Sequence, residues 1–174
     1  LEILHRQPLL VKLWSEANLK KNRWQLLLSI AIVTGKKHVE VVANGQTVDS
    51  ERYVSFVKNM MSKFGKHASP LTWTDAIIFQ DNARHHTSER TMAFLESKSA
   101  TLLNQPPYSP DFNICDRYRF NYLKDQRMQT QFEDDERVKN VLNAAIRSIS
   151  LDSWEHEWEK LLLHLGDVKK SKGA

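Results

Sequence analysis

"IIFQDNARHH", residues 77–86, is an apolar run that stops on a carboxylate, with an amide, an arginine and two histidines close behind. With the alanine before it, "AIIFQ" reads as a buried strand. An aspartate at the tip of such a strand, Asp81, exposes its carboxylate where a metal ion or a substrate can meet it. A lone strand-end aspartate is common, so its meaning turns on what shares a site with it.

Working outward, Ser88 to about Lys98 has helical spacing with Met92 and Leu95 on one face, and "ATLLN" (100–104) is a short strand. Upstream, "LLVKL" (9–13) and "QLLLSIAIVT" (25–34) are strand-like. The "GKK" after Thr34 turns the chain into "HVEVV" (38–42), where Val39 and Val41 oppose His38, Glu40 and Val42, so a hairpin is expected. The period then changes. Tyr53, Phe56, Val57, Met60, Met61 and Phe64 recur at three and four, an amphipathic helix with Asp49 or Ser50 as its N-cap. Beyond "QPPYSP", helices are expected over about 113–127, 134–148 and 151–165, the last with Trp154, Trp158, Leu161 and Leu165 inward. The tail "GDVKKSKGA" is expected to fray.

Early strands, a strand and helix alternation, then helices describe an α/β chain: a mixed sheet flanked by helices, with a helical C-terminal part. No repeat or linker divides it, so residues 1–174 read as a single domain. At 174 residues with 41% hydrophobic and 26% charged content, the chain is long enough for one sizeable core and too apolar for a disordered segment. The longest apolar stretch, "LLLSIAIV" (26–33), is strand-length, so no membrane span or membrane partner is expected. One cysteine, Cys115, excludes an internal disulfide framework and fits a reducing compartment. The formal charge of +4 favours a polyanionic partner, weakly.

A second stretch carries chemistry. "PPYSPDFNICD" (106–116) makes a rigid extended loop, because each proline fixes its own backbone and biases the residue before it away from helix. Asp116 lies four and seven residues before Phe120 and Leu123, so it shares the core-facing side of the helix that follows. The pattern equally allows Asp111 or Asp116 to act only as a helix cap, and on pattern alone that is the simpler reading.

Together, "QDNARHH" and "PPYSPDFNICDRYRFNYLK" resemble the mariner-type transposases, of the Tc/mariner superfamily. That family carries an Asp-Asn-Ala-Arg-x-His stretch and, later, Tyr-Ser-Pro-Asp-Leu-x-Pro-x-Asp leading into a Phe-x-x-Leu-Lys helix. Thirty-four residues lie between Asp81 and Asp116, the separation of the family's second and third catalytic acids. "NGQTVDSERYVSFVKNM" and "QFEDDERVKNVLNAAIRSIS" are similar to further segments in the same order, so the match runs from about residue 20 to residue 160.

The resemblance implies an RNase H-like (integrase/transposase) fold and metal-dependent DNA strand cleavage and strand transfer by three acids with two Mg2+ or Mn2+ ions. Asp81 and Asp116 would be two of the catalytic, metal-binding acids; Asn82, Arg84 and His86 would support them or contact DNA. Arg117, Arg119, Lys124 and Arg127 are candidates for phosphate contacts, and either these or a solvated face accounts for their pattern. The implied partners are transposon-end and target DNA and a second copy of the chain, and the implied location is the nucleus. The sequence also departs from the family. The Asp-Glu pair that supplies the first acid should precede a segment like "LEILHRQP", and it is absent; the chain either begins just after it or has lost it, and upstream DNA-recognition modules would precede residue 1. Ile114 and Cys115 replace the proline and small residue usual before the third acid. A domesticated, catalytically inactive descendant serving as a DNA-binding or protein-interaction module is the alternative expectation.

Overall fold

The computed structural model describes residues 10–15, 25–31, 36–42, 46–65, 72–113, 135–148 and 150–171. The chain forms two compact units, Leu1–Pro107 and Tyr108–Ala174.

The first unit holds one five-stranded sheet. Its strands are β1 (Leu10–Ser15), β2 (Gln25–Ala31), β3 (Lys36–Val42), β4 (Ile77–Gln80) and β5 (Thr101–Asn104), in the spatial order β3-β2-β1-β4-β5. The first three form an antiparallel meander, while β4 and β5 run parallel to β1. All five expected strands thus share one mixed sheet. The expected turn at "GKK" differs in detail: Lys36 and Lys37 already belong to β3, paired with Ala31 and Ile30.

Helix α1 (Ser50–Phe64) packs on the sheet. Asp49 is its N-cap, Oδ1 accepting from the Arg52 N–H at 2.8 Å, with Glu51 in the first turn and Lys63 in the last, both favourable to the helix dipole. Its three-and-four spacing buries Tyr53, Phe56, Val57, Met60 and Phe64 against Leu27, Val42, Ile78 and Leu95. Each such side chain contributes about 1.5–3 kcal/mol when fully buried. Facing residues in the hairpin share a side, so His38 and Glu40 lie with Val42 and Leu27 on the face that α1 covers. The buried His38 ring stacks on Phe56, accepts from Lys63 Nζ at Nδ1 and donates from Nε2 to Glu40 Oε1, each at 3.0 Å. Lysine can only donate, which fixes the Nε2–H tautomer.

A single turn, α2 (Arg84–Thr87), follows β4, and α3 (Glu89–Ser97) follows it, capped by Ser88 Oγ on the Thr91 N–H. Sequence spacing puts Met92 and Leu95 on one face. Leu95 is buried, but Met92 is 37% exposed and Thr91 takes the inward place. The Thr91 hydroxyl donates to the His85 carbonyl at 2.6 Å, so burying it leaves no orphaned polar group. Helix α3 ends with Ser99 at φ 54° and the Ala100 N–H on the Leu95 carbonyl, a Schellman closure with serine in the usual glycine position.

In the second unit a 3-10 turn (Pro110–Phe112) precedes α4 (Asp135–Arg147) and α5 (Leu151–Lys170). Leu161 is buried as expected, whereas Trp158 is only half-buried and the Trp154 side chain lies outside the described residues. The expected fraying of "GDVKKSKGA" is corrected over most of its length. Helix α5 continues through Gly166 to Lys170, and Lys169 and Lys170 oppose the negative end of its dipole. The expected helix over 113–127 falls almost wholly outside the described residues.

Candidate active site

Asp81 is the first residue beyond β4, an interior strand flanked by parallel neighbours on both sides. The connections reverse between β1 and β4, and open sheets with such a reversal bind ligands outside the carboxyl ends of the strands. The chain therefore delivers the carboxylate at the sheet edge best suited to receive a substrate.

Two contacts set that carboxylate, and further bonds hold the loop that carries it. Its Oδ1 accepts the Ala83 N–H at 3.0 Å, a short Asx-type closure that turns the chain into α2. His86, brought back by that turn, places Nδ1 2.5 Å from the same Oδ1 and 3.3 Å from the Asp81 carbonyl. Asn82 donates to the Gln105 carbonyl at 2.8 Å, and the Gln105 N–H donates to the Gln80 carbonyl at 3.0 Å, pinning the loop to the end of β5. Among the described residues no donor reaches Oδ2, and the side chain keeps 26% exposure. One oxygen is anchored and the other is available.

The electrostatics keep it charged. Burial raises the Asp81 carboxyl, but the His86 hydrogen bond and charge, the Ala83 N–H and, at the acid pH where the carboxyl titrates, the His85 charge outweigh it, leaving the group below its ordinary range. His85 is pushed down to about 4, first by burial and then by His86 beside it, so its ring is neutral at physiological pH.

Behind the acid lies a buried polar chain that sequence reading missed. The Tyr53 hydroxyl donates to Gln80 Oε1 at 2.8 Å, and Gln80 Nε2 donates to the His86 carbonyl at 3.2 Å. The Tyr53 ring lies 4.2 Å from that of His86, and the two histidine rings meet edge-on at 4.4 Å. Tyr53, Gln80 and His86 are all fully buried. Among the described residues His86 Nε2 has no partner, which places the ring's proton on Nδ1, facing Asp81. The one available signal was Gln80, a polar residue closing an apolar strand immediately before the acid.

Of the remaining candidates, Arg84 is exposed on α2. Asp116, Arg117, Arg119, Lys124 and Arg127 lie outside the described residues. Among the described residues no three His, Cys, Asp or Glu side chains gather as metal ligands, and no helix is long and apolar enough to cross a membrane. An ionised carboxylate with one open oxygen nevertheless fits one ligand of a hard divalent cation.

Residues 15–139 match the sequence profile of the DDE superfamily endonucleases. The chain belongs to that family. The mariner-type resemblance is borne out as well. Human histone-lysine N-methyltransferase SETMAR is 24% identical over 151 residues, covering 86% of this chain, which spans 20% of that protein's length. The Mos1 transposase catalytic domain, solved with raltegravir and manganese, superposes with a TM-score of 0.83 at 19% identity, covering 95% of this chain and 83% of that one. The Mos1 paired-end complex with the left transposon end gives a TM-score of 0.85 at 18% identity, covering 99% of this chain and 57% of that one. The DDE endonuclease domain thus has the RNase H-like fold expected from its motifs.

Proposed function

We propose that this chain is the catalytic domain of a mariner-like DNA transposase, cutting DNA strands and joining them to a target with divalent metal. The observation that carries the reading is Asp81: ionised, anchored through Oδ1 and open at Oδ2, at the carboxyl edge of an interior parallel strand. Asp81 and, by motif, Asp116 would hold Mg2+ or Mn2+, with a third acid upstream. Mos1 catalytic-domain structures contain one or the other metal. When bound, such ions would supply the positive charge that activates an attacking oxygen and stabilises the leaving oxygen of a phosphodiester.

The chain's own residues do the rest. Ala83 and His86 hold the carboxylate, Asn82 fixes the loop, and the Tyr53–Gln80 pair fixes the backbone that carries His86. Arg84, Arg117, Arg119, Lys124 and Arg127 supply positive charge for the DNA backbone, which positions the strand without reading its sequence. A nuclear location and a dimer that holds two DNA ends belong to the same proposal.

The test is metal-dependent nicking of transposon-end DNA by the full-length protein, beside binding at fixed salt. Asp81→Ala and Asp116→Ala abolish nicking and leave affinity nearly intact. Undiminished nicking by either variant removes that residue from the site.

A second reading has one observation in its favour. A relative named for histone methylation contains a stretch similar to this chain within a much longer protein. Such a stretch can persist as a DNA-binding or protein-interaction module without catalysis. DNA binding without nicking in every metal, by a full-length protein carrying all three acids or lacking the first, selects it.

A further inference from the structure

At the other end of β4, Trp73 in the preceding turn and Lys98 just after α3 meet the C-terminal half of α1, where Lys58, Met61 and Ser62 complete an open cleft of about 320 Å3. Its volume sits at the lower end of the range for ligand pockets, about 300–1,000 Å3. The floor is apolar and firm: Met61 is buried, and the half-buried Trp73 packs on the core with its ring 5.5 Å from Phe94 and perpendicular to it. The walls are cationic. Lys58 Nζ stands 5.1 Å from the Phe94 ring centroid, a cation–π contact that holds an otherwise free ammonium in place. Neither Lys58 nor Lys98 pairs with a carboxylate among the described residues. The neighbouring acid, Asp75, is bonded by Thr72 within its own turn.

Two exposed ammonium groups of like charge around an indole, with the Ser62 hydroxyl beside them, suit an anion carrying a flat or apolar attachment. We propose that this cleft holds a backbone phosphate of DNA, with the adjoining sugar and base against Trp73. The inference rests on the DNA-cleaving function proposed above and adds a second contact to it. The cleft precedes β4 and Asp81 follows it; at about 3.3 Å per strand residue the two are about 15–20 Å apart. Along duplex DNA that is about four to six base pairs at about 3.4 Å each. The cleft therefore grips DNA away from the bond being cut and contributes to affinity rather than to the rate of cutting.

The experiment measures the affinity of the full-length protein for a duplex reaching well beyond six base pairs from the cut and for one trimmed to about three, across a salt series. Each lysine–phosphate contact adds about 0.9 to the slope of log affinity against log salt. Lys58→Gln with Lys98→Gln makes the slope shallower by about 1 on the long duplex, for the one phosphate held there, and leaves it unchanged on the short one. Trp73→Phe loses part of the tryptophan fluorescence change on binding. A slope unaltered on the long duplex, or altered equally on both, overturns the inference. So does saturable binding of poly-glutamate at this cleft with no lysine dependence for DNA, which assigns it to an acidic protein partner. Wild-type protein that binds and nicks with an unaltered variant slope sinks this inference alone, whereas wild-type protein that binds no DNA sinks the proposed function with it.

Discussion

His86 Nδ1 lies 2.5 Å from Asp81 Oδ1, and the histidine ring is fully buried while the carboxylate keeps a quarter of its surface exposed. The fixed partner lies inside and the carboxylate faces outward. A carboxylate free to rotate would lose part of its binding free energy on being ordered; this one is already oriented. Replacing groups that orient a metal ligand lowers metal affinity or activity about 10–100-fold. His86→Ala is therefore expected to raise the Mg2+ concentration needed for half-maximal nicking by about that factor, and His86→Asn, which restores a donor, recovers part of it. Equal metal dependence in wild type and His86→Ala would contradict the assigned role.

The Tyr53–Gln80 bond makes a stability prediction. Tyr53→Phe leaves Gln80 Oε1 buried without its donor, which costs about 1–3 kcal/mol. Adding Gln80→Leu removes the orphaned acceptor, so the double variant loses less than the sum of the single losses. Urea unfolding of the four proteins in the cycle gives the coupling directly.

His85 sets a pH dependence. Its folded value, about 4, lies below the ordinary 6.5, so between these values the unfolded chain binds the proton more readily. Stability from this group is fully present above about 6.5 and is lost as pH falls towards 4. Asp81 acts lower on the scale. Its depressed carboxyl contributes stability above its unfolded value near 3.8, lost as pH falls through the folded value. Thermal melts from pH 7 to pH 4 should show a decline that His85→Leu flattens and Asp81→Asn does not.

Much of this was legible in the sequence, for definite reasons. The strands were legible because Leu27, Val42 and Ile78 sit in apolar runs bounded by turns, and α1 because Tyr53, Phe56, Val57 and Met60 keep helical spacing after Asp49. Asp81 was legible because an acid ends a buried strand. Tyr53 was legible only as a core position, since its hydroxyl finds Gln80 through a contact 27 residues away. The burial of Thr91 was not legible, because hydrophobicity favours Met92, whereas a hydrogen bond to His85 lets Thr91 be buried without penalty.

Gly166 misled in a different way, since a glycine before charged residues resembles a helix end, yet α5 runs on to Lys170. Nothing lies within 4 Å of where a Cβ would stand at Gly166. Gly166→Ala should therefore stabilise the helix by about 0.5–1 kcal/mol, read as a higher urea midpoint.

The central claim is that the Asp81 carboxylate binds the metal that drives DNA cleavage, and a change of ligand tests it most directly. Asp81→Cys replaces a hard oxygen ligand with a softer sulfur one, which magnesium accepts poorly and manganese better. Nicking of transposon-end DNA by the full-length Asp81→Cys protein should be lost in Mg2+ and regained in part in Mn2+, while Asp81→Ala stays inactive in both. Nicking by Asp81→Ala at the wild-type rate in either metal would contradict the account.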